Sequence, residues 1–184
     1  MDLSNSIEAL QNGKTILYPS DTIWGIGCDA TDSIACDKII DIKKRPNDKS
    51  FIILMDGFPM LERYIHDFHE VCYDLIDLAT QPLTIIYPNA SGLAASILAS
   101  DGSVGIRITK DPICLKLIRG LRKPLLSTSA NISGSKNPET YHDIDDGIKS
   151  SVDEIVAEKL TEQMSTPSKL IKIGLSGEIT VIRK

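Results

Sequence analysis

Short apolar runs alternate along this chain with segments in which apolar residues recur at helical spacing. Residues 15–18, 51–55, 83–87, 104–108, 124–127, 154–157, 169–173 and 179–182 have the length and composition of buried strands. Between them, residues 4–10 read as a helix capped by Ser4 or Ser6 and closed at Gly13. A second helix starts at Asp32 or Ser33, carries an apolar stripe of Ile34, Ile39, Ile40 and Ile42, and is stopped by Pro46. Further helical segments are predicted near 60–64, 69–78 and 112–119. The segment 19–27, rich in small polar residues and glycine, reads as a loop whose backbone approaches a ligand. Alternation of this kind implies an α/β chain with a mixed, twisted sheet.

Composition narrows the class. The 184 residues, 42% hydrophobic and 24% charged, suit one soluble domain spanning 1–184 with no low-complexity tract. No apolar run approaches the roughly 20 residues of a membrane-spanning helix, and the N-terminus has no basic, apolar leader, so a cytoplasmic location is expected. Cys28, Cys36, Cys72 and Cys114 are scattered without a Cys-x-x-Cys pair, which favours small buried thiols over a zinc or redox site. A net charge of -5 opposes a role in coating nucleic acid, because that affinity comes from cations displacing counterions at phosphates. Any anion site must be local.

Lys38, Lys43, Lys44, Arg45 and Lys49 place five cations within twelve positions. Taken alone, such a run is more often a solvated helix face. Lys43 and Arg45 offer polyphosphate a point charge and a planar fork, with Lys49 reaching the same anion after the Pro46 turn. The sequence Ser127-Thr128-Ser129-Ala130-Asn131-Ile132-Ser133-Gly134 follows a strand, where hydroxyls and amides reach a ligand or simply form a turn. Arg107 interrupts an apolar strand, so a carboxylate partner is implied, either an internal Asp or Glu or a substrate. His66 and His69 are spaced to share a helix face, but no further metal ligands match them, and no nucleophile and histidine signature is present. Neither the phosphate-loop nor the dinucleotide glycine fingerprint occurs. Trp24 and Tyr18 read as core or pocket wall.

In their order, these segments resemble the YrdC/TsaC family of threonylcarbamoyl-AMP synthases from about Gly13 to Arg183. Pro19-Ser20-Asp21-Thr22-Ile23-Trp24-Gly25 is similar to the family's Pro-Thr-Glu/Asp-Thr-x-Tyr/Trp-Gly loop, and Lys43-Lys44-Arg45-Pro46 to its Lys-x-Arg-Pro signature. Ser129-Ala130-Asn131 resembles its Ser-x-Asn element, Val104-Gly105-Ile106-Arg107 its Val-x-Val/Ile-Arg strand, Pro167-Ser168 the start of a Pro-Ser-Thr segment, and Ile182-Arg183 a closing Leu/Ile-Arg. Departures include Ser20 for Thr, Lys169 after Ser168, and the partial match of residues 80–84 to Pro-Gly-Pro-x-Thr.

The resemblance implies an open, twisted mixed sheet with flanking helices and a large electropositive cavity. It assigns ATP to Lys43, Arg45, Lys49, Ser103, Asn131 and Arg183, with Lys43 and Arg45 as the catalytic pair, and threonine to Thr22, Arg107, Ser129 and Ser168. The implied reaction joins L-threonine, bicarbonate and ATP, with Mg²⁺ carried on the ATP phosphates, to supply a threonylcarbamoyl transferase acting on tRNA. The alternative implied is a YciO-like relative that binds nucleotide, tRNA or double-stranded RNA without this reaction. On the first reading Lys43 and Arg45 lie near a solvent-open cavity, so alanine at either should impair ATP use more than folding.

Overall fold

The computed structural model describes residues 2–44 and 51–184. The chain opens with helix α1 (Ser4–Gln11), strands β1 (Ile16–Tyr18) and β2 (Gly25–Asp29), and helix α2 (Ser33–Lys43). It continues through β3 (Ile52–Met55), α3 (Phe58–Tyr64), α4 (Val71–Leu78), β4 (Leu83–Tyr87), β5 (Val104–Ile108), α5 (Pro112–Leu121) and β6 (Leu125–Ser129). The last elements are α6 (Asp146–Ser151), β7 (Glu154–Ile155), β8 (Lys169–Ile173) and β9 (Ile179–Arg183). The strands form one sheet in the order β7-β1-β2-β6-β3-β5-β4-β8-β9. Pairing is parallel for β1 with β7, β3 with β5 and β4 with β8, and antiparallel elsewhere. The expected α/β class and mixed sheet are therefore present.

β2 is an element that the sequence reading missed. Gly25 and Gly27 suggest a loop, yet both are laddered between β1 and β6. The reason is steric. A Cβ on Gly27 would lie 2.6 Å from the Leu126 carbonyl oxygen and 2.9 Å from Tyr18 Cε1, so glycine admits the Tyr18 ring across the strand. Tyr18, fully buried, then donates its hydroxyl to Ser127 Oγ at 2.6 Å.

Local rules account for most helix ends. Asp32 caps α2 by accepting from the amides of Ile34 and Ala35, and Asp111 caps α5 through the Cys114 amide. At α1 neither serine is the cap; Asp2 instead accepts from the Ser4 amide and hydroxyl. The stripe expected on α2 is also displaced. Ile34 is 81% exposed, and the buried face is Ala35, Cys36, Ile39 and Lys43. His66 and His69 lie between α3 and α4, outside any helix, so they share no helix face, and no metal-ligating cluster exists among the described residues. The four cysteines are buried and free, and Trp24 lies in the core with its ring centroid 5.5 Å from that of Tyr141.

Candidate functional site

Strand alternation sets the floor of the main cavity, which has a volume of about 310 Å³. On β5, Val104 and Ile106 are buried in the core, whereas Gly105 and Arg107 line the cavity. Arg107 registers with Leu54 of β3, and on the other side of β5 the ladder to β4 runs up to the adjacent Ile106. The loop before β2 comes over its guanidinium. Arg107 Nη1 donates to Thr22 Oγ1 at 3.0 Å, and Nη2 lies 3.3 Å from Asp21 Oδ1. Ser20 Oγ shares a hydrogen bond with Thr22 Oγ1 at 2.9 Å, donates to the Ile23 carbonyl and accepts from the Thr22 amide. These contacts fix the loop against the arginine. Arg107 Nε is buried without a partner. The carboxylate that the strand position demanded is thus supplied internally, by Asp21, although one donor of the guanidinium stays unsatisfied.

A second wall comes from the C-terminal hairpin. Ser168 and Thr84 share a hydrogen bond between hydroxyls at 2.8 Å, which ties the segment entering β8 to β4. Arg183, at the end of β9, donates through Nε to the Ser168 carbonyl at 2.9 Å and through Nη2 to Ser168 Oγ at 3.4 Å. A register shift between Leu170 and Ile171 pairs Leu170 with Arg183, and both line the cavity. Burial, and then the like charge of Arg107, lower the Arg183 pKa below its ordinary range. Both causes disfavour the cation, so an anion in the cavity would relieve them. The charged residues lining the cavity, among those described, are these two arginines.

The third wall is the end of β6 and the segment after it. Ser129 lines the cavity, and Lys43 lies behind it at 2% exposure. The Lys43 ammonium donates to the carbonyl oxygens of Ser129 and Asn131, to Asn131 Oδ1 at 2.9 Å and to Ser129 Oγ at 3.3 Å. The Ser133 amide returns a bond to the Lys43 carbonyl, and Ser129 Oγ donates to Asn131 Oδ1 at 2.6 Å. Lys43 reaches this position because α2 ends there, with Lys44 in the left-handed region at φ 47°. Lys43 thus lies next to the cavity without lining it. Its ammonium has been drawn inward by a cluster of oxygens.

Of the residues assigned from the sequence, Thr22, Arg107, Ser129, Ser168 and Arg183 line one cavity, and Lys43 and Asn131 hold its Ser129 wall from behind. Ser103 does not line it; it is buried just before β5, with its amide bonded to Asp101. Arg45 and Lys49 lie outside the described residues. The cation run is not a single patch, since Lys38 instead pairs with Asp153 at 2.7 Å. Sequence reasoning missed Asp21 as the partner of Arg107, together with Asn137 in the lining, whereas Ser127 opens the segment 127–134 that it singled out. The side-by-side Asp21 and Thr22 were the available signal for the first. The hydrogen bond to Cys36 and burial push the Cys28 thiol up, and burial does the same for Cys72 and Cys114, which disfavours thiolate at these three.

Comparison with known proteins gives concordant matches. The family model Sua5_yciO_yrdC, described as "Telomere recombination", matches residues 8–184. The chain is 28% identical over 173 residues to a threonylcarbamoyl-AMP synthase of Vibrio vulnificus (strain YJ016), covering 88% of this chain and 89% of that protein. It superposes on P. abyssi Sua5 complexed with L-threonine with a TM-score of 0.82 and 26% identity over 92% of its own length, and spans 50% of that longer chain. E. coli YciO, 24% identical, has the same fold, with a TM-score of 0.83 over 98% of this chain and 87% of that one.

Proposed function

From the premise that this chain belongs to the Sua5–YciO–YrdC family, we propose that it is a threonylcarbamoyl-AMP synthase, a nucleotidyl-transferring enzyme that uses L-threonine, bicarbonate or CO₂, and ATP. The observation that carries this reading is the convergence of Thr22, Arg107, Ser129, Ser168 and Arg183, far apart in the chain, on one cavity. Arg107 is the group for an amino-acid carboxylate: it is buried, fixed in mid-strand, and has an unsatisfied N–H. Arg183 and the hydroxyl of Ser127, whose oxygen accepts from Tyr18, line the remaining volume with donors suited to phosphate oxygens.

In this reaction the neutral amine of threonine adds to CO₂, forming a carbamate and losing a proton. A carbamate oxygen then attacks the α-phosphorus of ATP, and the bond to the β-phosphate oxygen breaks to release pyrophosphate. No protein nucleophile takes part. The chain contributes by holding two anions in line and neutralising their repulsion, which lowers the barrier by positioning and by fixed charge. Mg²⁺ would be carried on the ATP phosphates themselves. There it would offset phosphate charge. The product is an activated mixed anhydride, suited to a transferase that moves the threonylcarbamoyl group to a tRNA adenosine.

The test is pyrophosphate release from ATP in the presence of bicarbonate and Mg²⁺, with and without L-threonine. Release that requires threonine is the expected result. Release without it, or binding of nucleotide or RNA with no release, would replace this reading with that of a non-synthesising relative.

A further inference from the structure

The pairing of Arg107 with Asp21 is incomplete in an informative way. A guanidinium meets a carboxylate best along one edge, Nε and the adjacent Nη, with two parallel N–H bonds. Asp21 contacts that edge through a single oxygen, 3.3 Å from Nη2, and Nε is left buried with no partner. Leaving a buried donor unsatisfied is costly, so the edge is poised for a better acceptor.

The two partners also differ in how firmly they are held. Arg107 belongs to the central strand β5, in register with Leu54 of β3, with 5% of its side chain exposed. Asp21 belongs to the loop before β2, and its side chain is 29% exposed. Arg107 separates two hollows. It lines the main cavity, and it also lines a smaller one of about 180 Å³ whose wall includes Asp21, Gln81 and Lys110. Asp21 lines the smaller hollow and not the main one. A carboxylate in the main cavity would therefore approach Arg107 from a hollow that Asp21 does not line, and the hollow that Asp21 does line also carries a cation, Lys110.

We infer that Asp21 is an exchangeable counter-ion: it neutralises Arg107 in the free protein and yields the guanidinium edge to the substrate carboxylate on binding. This rests on the reading that the cavity takes threonine. Asp21 is then a positioning residue that sets affinity and selects ligands. A molecule with the same amine and side chain but no carboxylate cannot displace it. Because ligand binding must first break an internal pair, the apparent affinity is lower than the site's intrinsic one.

The experiment compares the unmodified protein with Asp21→Asn and Asp21→Glu, using L-threonine and L-threoninol in thermal-shift and isothermal binding titrations. Asp21→Asn is expected to melt earlier without ligand, because a buried cation has lost its partner, yet to bind threonine about fivefold more tightly. Asp21→Glu, which keeps the carboxylate, should stay close to the unmodified protein in affinity. As a measurement independent of the variants' folding, the side-chain carboxyl ¹³C resonance of Asp21 in the unmodified protein should move on adding threonine but not threoninol. Unchanged or weaker threonine binding by a folded Asp21→Asn variant, or an Asp21 resonance that ignores threonine while threonine binds, overturns the exchange alone. Absence of threonine binding by the unmodified protein overturns the threonine reading, and the exchange with it.

Discussion

Lys43 shows how one side chain's setting decides what its removal does. Its ammonium lies among two carbonyls, a hydroxyl and an amide oxygen, all belonging to Ser129 and Asn131. Lys43→Met keeps much of the apolar stem and removes the donor, leaving buried oxygens without their partner. A stability loss of about 2–4 kcal/mol is expected, read by urea unfolding. ATP use should fall in parallel, because the Ser129 wall loosens with it. A variant that unfolds like the unmodified protein while losing ATP use would return Lys43 to the role of a direct phosphate ligand. The same comparison separates Lys43 from Lys38, whose surface pair with Asp153 is worth little on its own.

At the scale of elements, two contacts carry the first half of the sheet. The strand β2 exists because Gly27 lets Tyr18 and the β6 backbone approach it closely, so Gly27→Ala should destabilise by about 1–3 kcal/mol through overpacking. Differential scanning calorimetry would record this as a Tm lowered by roughly 3–10 °C. The second contact is Asp153, which accepts from the Thr15 amide and hydroxyl at 2.8 Å and pairs with Lys38, joining α2 to the β1 and β7 edge. Burial alone would raise its pKa, but the bonds from Lys38 and Thr15 outweigh burial and hold it below the ordinary 3.8. With the folded value below the unfolded one, this stabilisation is complete above pH 3.8 and is lost as the pH falls through the folded value. Asp153→Asn should therefore be less stable at neutral pH and lose less stability on acidification below pH 3.8. Unfolding curves at pH 7 and pH 3 check this.

Across the whole molecule, the cavity closes only when the last strand returns to the first half of the chain's work. Arg183 is on the exposed edge strand β9, bonded to Ser168 and close enough to Arg107 to feel its charge. Arg183→Ala should leave the melting temperature within a few degrees, since exposed positions cost about 0.5 kcal/mol or less. It should lower ATP-dependent turnover about tenfold or more, the expected loss of a charge-assisted phosphate contact. Steady-state kinetics with varied ATP would show the difference. The sequence by itself determined most of the element order, the helix start at Asp32, the burial of Tyr18 and Trp24, and the need of Arg107 for a carboxylate. Each follows from spacing or from the cost of burying one group, which neighbours along the chain already specify. Only the tertiary structure decided that Gly25 and Gly27 lie in a strand, that Lys43 turns inward, that Ser103 stays out of the cavity, and that Asp21 answers Arg107. Those outcomes depend on which residues meet across the sheet, and distances between segments 80 or more positions apart are set by packing, not by local pattern.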